Sequence, residues 1–189
     1  MPRFYPVNGR MVSSVTTVLD RYFDIKPKDE AQAAEWAVLA ERGSRIHALI
    51  AKPPATKADM DALPATDQYG LFAAQRFMDE WGFKTEAIEL PLVSEALGYG
   101  GKPDRIGFIE SGRVIADWKT GVLRHEYIEL QLGAYFGLYL AVYPRRKLYG
   151  AIGVHLDLKA GGYSVAPLSA LELHRWHEKF MRIKEEVNL

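Results

Sequence analysis

The chain has no cysteine. That excludes disulfides, cysteine-ligated zinc, iron–sulfur clusters and thiol catalysis, and it agrees with a cytoplasmic setting. Net charge is missing too: 24 Lys and Arg balance 24 Asp and Glu. No overall basicity points to nucleic acid, so any such surface has to be local. No apolar run approaches the roughly 20 residues that cross a bilayer. The start, Met1-Pro2-Arg3-Phe4-Tyr5-Pro6, lacks the apolar core of a signal peptide, so neither export nor a membrane partner is expected. A G-x-x-x-x-G-K-[ST] phosphate loop, a G-x-S-x-G nucleophile setting, internal repeats and low-complexity segments are also absent.

What is present is an ordinary globular composition, 48% apolar and 25% charged over 189 residues, enough for one cored domain and short for two. Ser13 to Leu19 has the pattern of a short helix capped by a serine or threonine. Lys28 to Ala51 carries Ala33, Trp36, Ala37, Ala40, Ile46, Leu49 and Ile50 at helical spacing. Gly43 interrupts that helix, where a ligand or another backbone could come close. Lys52 to Thr66, with three prolines, reads as an exposed connection. Asp67 to Gly82 reads as a helix capped by Asp67 and anchored by Leu71, Phe72, Phe77 and Trp81. Ala87 to Val93 suggests a strand and Glu126 to Tyr143 a helix. Leu148 to Leu158 and Gly162 to Pro167 suggest strands joined at Gly161-Gly162, and Ser169 opens a final helix to about Glu186. The order predicts one mixed α/β domain over 1–189: a mainly helical part over 1–82, an α/β core over 85–157, and a strand with a C-terminal helix over 162–189.

Two acids and a lysine stand out. Ile106 to Ile109 and Val114 to Ala116 read as strands joined by a Ser111-Gly112 turn. If those two residues are the whole loop, Glu110 pairs with Arg113, Ile106 lies opposite Asp117, and Asp104 lies opposite Lys119. Alternation then puts Asp104, Asp117 and Lys119 on one face and Trp118 on the other. A slip of one residue would split the set. Two carboxylates about 4 Å apart repel by roughly 4 kcal/mol at an effective dielectric near 20. Lys119 offsets part of this, and a divalent cation would offset more; carboxylate, water and carbonyl oxygens suit Mg²⁺ or Mn²⁺. Taken alone, the tripeptide also fits a surface hairpin with an ordinary cross-strand Asp–Lys pair.

Other residues support the set. Gln131 and Tyr135 are four apart and share a helical face. His47 follows Gly43 by four residues. Glu89 falls in a strand pattern, from which it could reach a metal directly or through water or equally stand as an edge-strand charge. Arg105 and Arg124 flank the acids, whereas Arg145-Arg146-Lys147 reads as a solvated face. His174 and His177 share a helical face that reads as wet. Gly98-Tyr99-Gly100-Gly101 enters a strand and opens no helix, which argues against a phosphate cradle.

In this order the motifs resemble the PD-(D/E)XK nuclease superfamily, in its RecB-like exonuclease branch. Pro103-Asp104 and Asp117-Trp118-Lys119 match the signature, and Gly101-Lys102-Pro103-Asp104 fits that branch's G-x-x-D form. Gln131-Leu132-Gly133-Ala134-Tyr135 matches its Q-x-x-x-Y motif. Arg42 to His47 resembles the helix that delivers the branch's histidine. Ser14 to Leu19 resembles a motif of phage-type and mitochondrial genome maintenance exonucleases. The resemblance runs from about residue 12 to residue 157. It implies a restriction-endonuclease-like core, helix–three strands–helix–strand, with a mixed central sheet flanked by helices. It implies a DNA exonuclease in replication, recombination or end processing, acting on linear DNA with ends in a bacterial or phage-infected cytoplasm. A helicase, annealing protein or polymerase is the partner by analogy. By the same resemblance Asp104, Asp117, His47 and the Trp118 backbone carbonyl would hold one or two Mg²⁺ or Mn²⁺ ions, and Lys119 would orient or help deprotonate the attacking water. Gln131 and Tyr135 would brace the site or touch DNA, and Arg105 and Arg124 would guide phosphates inward. Many relatives carry a cysteine-bound iron–sulfur cluster, which this chain cannot. A catalytically silent DNA-binding or assembly module of the same fold, and a structure-specific endonuclease, are the alternatives.

Overall fold

In the computed structural model, which describes residues 4–122 and 124–187, the chain opens on a β-hairpin and not on a helix. The first three residues of the Met1–Pro6 stretch lie outside the described residues. β1 (Phe4–Val7) and β2 (Arg10–Ser14) pair antiparallel around Asn8-Gly9, with φ of 46° and 76° at the two turn residues. Asn-Gly favours that mirror-image turn. This hairpin precedes the helices of the first 82 residues.

β2 runs directly into α1 (Val15–Tyr22), capped as expected: the Ser14 hydroxyl accepts from the Thr17 N–H at 3.0 Å. α2 (Glu30–Ala51) is capped by Asp29, but its apolar stripe is buried only near the C-terminal end, at Ile46 and Ile50. The proline-rich connection contains a short helix, α3 (Lys57–Asp61). α4 (Ala65–Glu80) starts before the expected cap. Asp67 sits in its first turn, fully buried, and accepts from Arg45 of α2 at 2.6 Å (Nε) and 3.1 Å (Nη2). An ion pair between helices stands where a cap was expected. Phe72, expected as an anchor, is exposed.

The strand expected over 87–93 is broken at Glu89, whose φ is 47°. β3 (Lys84–Ile88) and β4 (Leu92–Ser94) therefore join different sheets. Then come β5 (Tyr99–Gly101), β6 (Arg105–Ile109), β7 (Gly112–Lys119), α5 (His125–Val142), β8 (Gly150–Leu156), β9 (Tyr163–Ser169) and α6 (Ala170–Glu186). Ser169 and Glu172 cap α6 reciprocally. The main sheet has the order β3-β6-β7-β8-β9, with β7 and β8 parallel and the other neighbours antiparallel. A parallel pair needs a crossover, which α5 supplies. The expected helix–three strands–helix–strand core is present, and a smaller mixed sheet, β1-β2-β5-β4, lies beside it.

Alternation along β7 assigns the two faces. Val114, Ala116 and Trp118 pack toward α2 and α4, where Trp118 meets Phe77 edge-on at 5.5 Å. Ile106, Ile115 and Ala151 pack toward α1, α5 and α6. Gly133 and Gly137 let α6 press against α5: a Cβ at Gly137 would overlap the His177 ring. Of the two α6 histidines, His174 is exposed, in keeping with the wet face read from the sequence, whereas His177 packs on Gly137. His177 is half-buried, and the His174 ring meets Phe136 at 4.8 Å.

Candidate active site

The β6–β7 hairpin turns earlier than expected from Ser111-Gly112. Ile109 pairs with Gly112, Phe108 with Arg113 and Ile106 with Ile115. Glu110 and Ser111 form the turn, and Gly112 opens β7 with a φ of 126°. Only glycine fits: φ is in the left-handed half of the map, and the Tyr149 ring lies 2.5 Å from where a Cβ would be. Relative to the expected ladder the register slips by two residues. An even slip keeps every side chain on its face, so the shared face survives while the partners change. Asp104 now falls opposite Asp117, in the place expected for Lys119.

β6 stops at Arg105, whereas β7 runs on to Lys119. Asp104 fills the gap with its side chain: Oδ2 accepts the Trp118 N–H at 2.7 Å. Residues in a strand point their N–H and C=O to the same side. The Trp118 carbonyl therefore faces Asp104 as well, while its indole is buried beneath the sheet. Asp104 Oδ1 lies 3.1 Å from His47 Nδ1. Asp117, 3% exposed, pairs with Lys119 two residues on.

Burial penalises charge on both aspartates, and what answers it differs. For Asp104 burial pushes up, but the His47 hydrogen bond and charge, Lys119 and the Trp118 amide together bring the carboxyl below its ordinary range. For Asp117 burial dominates, Lys119 offsets only part of it, and Asp104 adds to the rise; that carboxyl is held above its ordinary range. His47 is pulled down by burial and more than restored by Asp104 and Asp117, so its imidazole is raised.

α5 closes the site. Gln131 Nε2 donates to the Tyr135 hydroxyl at 3.1 Å, both side chains being buried. Gln131 Oε1 has no hydrogen-bond partner among the described residues. The Tyr135 ring lies across Gly101, where a Cβ would come within 2.6 Å of it, and Tyr5 covers Gly100 in the same way. The glycines of β5 are there for ring packing, in keeping with the case against a phosphate cradle.

His47, Glu89, Asp104, Asp117, Lys119, Gln131 and Tyr135 all line one cleft of about 310 Å³. Thr16, Ser44 and Lys102 line it too; each lies inside a quoted motif, and of the three only Lys102 stood out in the sequence, as a basic neighbour of Arg105. Lys102 Nζ meets Glu89 Oε2 at 2.5 Å. Two expected residues are elsewhere. Arg105, next to Asp104 in a strand, faces the other way; it is 5% exposed and donates from Nη2 to the Ile50 carbonyl at 2.5 Å. It anchors the end of α2 and is no phosphate guide. Arg124 occupies the N-cap position of α5, exposed, outside the cleft and with no side-chain hydrogen bond to the helix.

Among the described residues no three His, Asp or Glu side chains form a ready-made metal cluster. The oxygen atoms nonetheless fit a hard cation: two carboxylates, one backbone carbonyl on the same side, and the Gln131 oxygen left without a donor. His47, which lines the same cleft, meets Asp104 through Nδ1.

No protein-family model matches the chain, and no curated protein matches it in sequence. Among solved structures it is similar to SSO0001, at 15% identity over 97% of this chain and 81% of that one, with a TM-score of 0.46. It is similar to LHK-Exo in complex with dAMP, at 14% identity over 94% of this chain and 88% of that one, TM-score 0.46. A further structure of that alkaline exonuclease, from Laribacter hongkongensis, gives 13% identity, 90% and 88% coverage and a TM-score of 0.35.

Proposed function

We propose that the chain is a Mg²⁺- or Mn²⁺-dependent deoxyribonuclease that hydrolyses phosphodiester bonds from DNA ends, of the RecB-like PD-(D/E)XK type, in bacterial or phage DNA replication, recombination or end processing. The observation that carries this reading is the convergence of Asp104, Asp117 and Lys119 in one cleft at the open end of the β6–β7 hairpin. Asp104, Asp117 and the Trp118 carbonyl would hold one or two ions, which supply an activated water and neutralise charge on the scissile phosphate. Lys119 would orient the attacking water and meet the charge that develops in the transition state. His47 keeps Asp104 ionised and aimed, while Gln131 and Tyr135 fix the α5 wall. Lys102, now paired with Glu89, is the cation at hand for a neighbouring phosphate.

One observation favours a second reading, a catalytically silent DNA-binding module: His47 with Asp104 and Lys119 with Asp117 already pair the charges of the site. Digestion of end-labelled linear DNA with Mg²⁺ or Mn²⁺ decides between them. Loss of label with the wild type, slowed on the order of 10²–10³-fold in Lys119→Ala, supports the nuclease. No loss with either protein supports the silent module, and equal loss with both assigns the cutting to a contaminant. Cutting of covalently closed circles would make the activity endonucleolytic.

A further inference from the structure

The cleft is bounded on one side by a thin wall. A Cβ on Gly43 would lie 3.0 Å from Thr120 Oγ1, so α2 and the segment after β7 nearly touch there. Gly43 lines the cleft, and Thr120 lines a second, larger groove of about 650 Å³. The floor of that groove is apolar: Leu156 and Leu158 lie beneath, and Leu39 and Val122 stand at 43% and 92% exposure. Among the described residues nothing covers these apolar side chains. The groove's rim is cationic. Arg42, immediately before Gly43, has no ion-pair partner among the described residues, and its Nε is buried with no acceptor. Lys159 also has no acid partner among them. The acid lining the groove, Asp157, is engaged by the backbone amides of Lys159 and Ala160 at 2.8 and 3.2 Å.

We propose that this groove receives the unpaired bases of a DNA strand whose scissile phosphate occupies the cleft, so that the substrate presents a single-stranded segment. The proposal rests on the nuclease reading and names its substrate class. An unpaired strand exposes apolar base faces on one side and phosphates on the other, the same division as the floor and rim of the groove. A duplex buries its base faces in the stack and offers only phosphates, which leaves Leu39 and Val122 without a use. Continuity across Gly43 and Thr120 lets one strand lie in both recesses.

Fluorescence anisotropy of a labelled oligothymidine in EDTA reads binding apart from cutting. The wild type is expected to bind it more tightly than a blunt duplex of equal length. Val122→Asp and Arg42→Gln should each weaken it about tenfold, and Arg42→Gln should lower the salt slope by about 0.7. Val122 is too exposed for its replacement to disturb the core, and an unchanged melting temperature checks this. Variants that bind like the wild type, or a duplex bound more tightly than the single strand, overturn the proposal. Hydrolysis of bis(p-nitrophenyl) phosphate by the wild type in Mn²⁺ tests the chemistry alone. Hydrolysis with unaffected variants removes the groove and keeps the nuclease. No hydrolysis of that ester or of DNA, with binding still lost in the variants, removes the nuclease and keeps the groove as a strand-binding site.

Discussion

The Asp104 carboxylate accepts the Trp118 amide at 2.7 Å, so a side chain continues the ladder that β6 abandons at Arg105. One oxygen is thereby held by the sheet and the other by His47. Asp104→Asn keeps an oxygen for the Trp118 amide but loses the charge. It should retain a wild-type circular dichroism spectrum and lose DNA digestion entirely. Lys119→Ala should also fold, with cutting reduced on the order of 10²–10³-fold. Digestion rates on end-labelled DNA check both.

The His47–Asp104 pair predicts a pH-dependent contribution to stability. His47 is raised in the folded state, so its contribution is complete below the ordinary imidazole value and disappears as pH rises through the raised one. The lowered Asp104 marks the acid limit: the same interaction is lost as pH falls through that carboxyl's depressed value. Thermal melts of the wild type and His47→Gln in EDTA should differ most in mildly acid buffer and converge toward alkaline pH. A gap that widens with pH would contradict the pairing.

Gly101→Ala should act on the site through Tyr135. The new methyl would lie 2.6 Å from that ring and 3.0 Å from Val15 Cγ2, both in the core. Overpacking of this kind costs about 1–3 kcal/mol. Urea unfolding should show that loss in Gly101→Ala, and less than that in Gly101→Ala combined with Tyr135→Leu, when each is compared with its own parent.

Arg45 and Asp67 should respond unequally to substitution. Asp67 is fully buried, whereas the Arg45 side chain is 43% exposed. Arg45→Leu strands a buried carboxylate, while Asp67→Asn leaves a cation that can reach water. The arginine variant should have the lower melting temperature.

The parts of the site that were legible in the sequence share a cause. Strand alternation repeats every two residues, so the common face of Asp104, Asp117 and Lys119 withstood a register that was wrong by two. The turn itself was not legible, because Ser-Gly is a sound turn pair and the ring that claims Gly112 comes from Tyr149, far along the chain. Arg105 could have been placed: one residue from Asp104 in a strand, it must face the opposite way. Asn8-Gly9 was an available hairpin signal. Glu89 was not, since a glutamate with positive φ follows from tertiary ties, here its N–H to the Asp104 carbonyl at 3.0 Å and its carboxylate to Lys102.

The glycines of α5 tie the cleft wall to α6. Gly133 and Gly137 each weaken an isolated helix by about 1 kcal/mol relative to alanine, and α6 covers them. Gln131 and Tyr135 ride on that same helix. The wall they form therefore rests on α6, although no side chain of α6 lines the cleft.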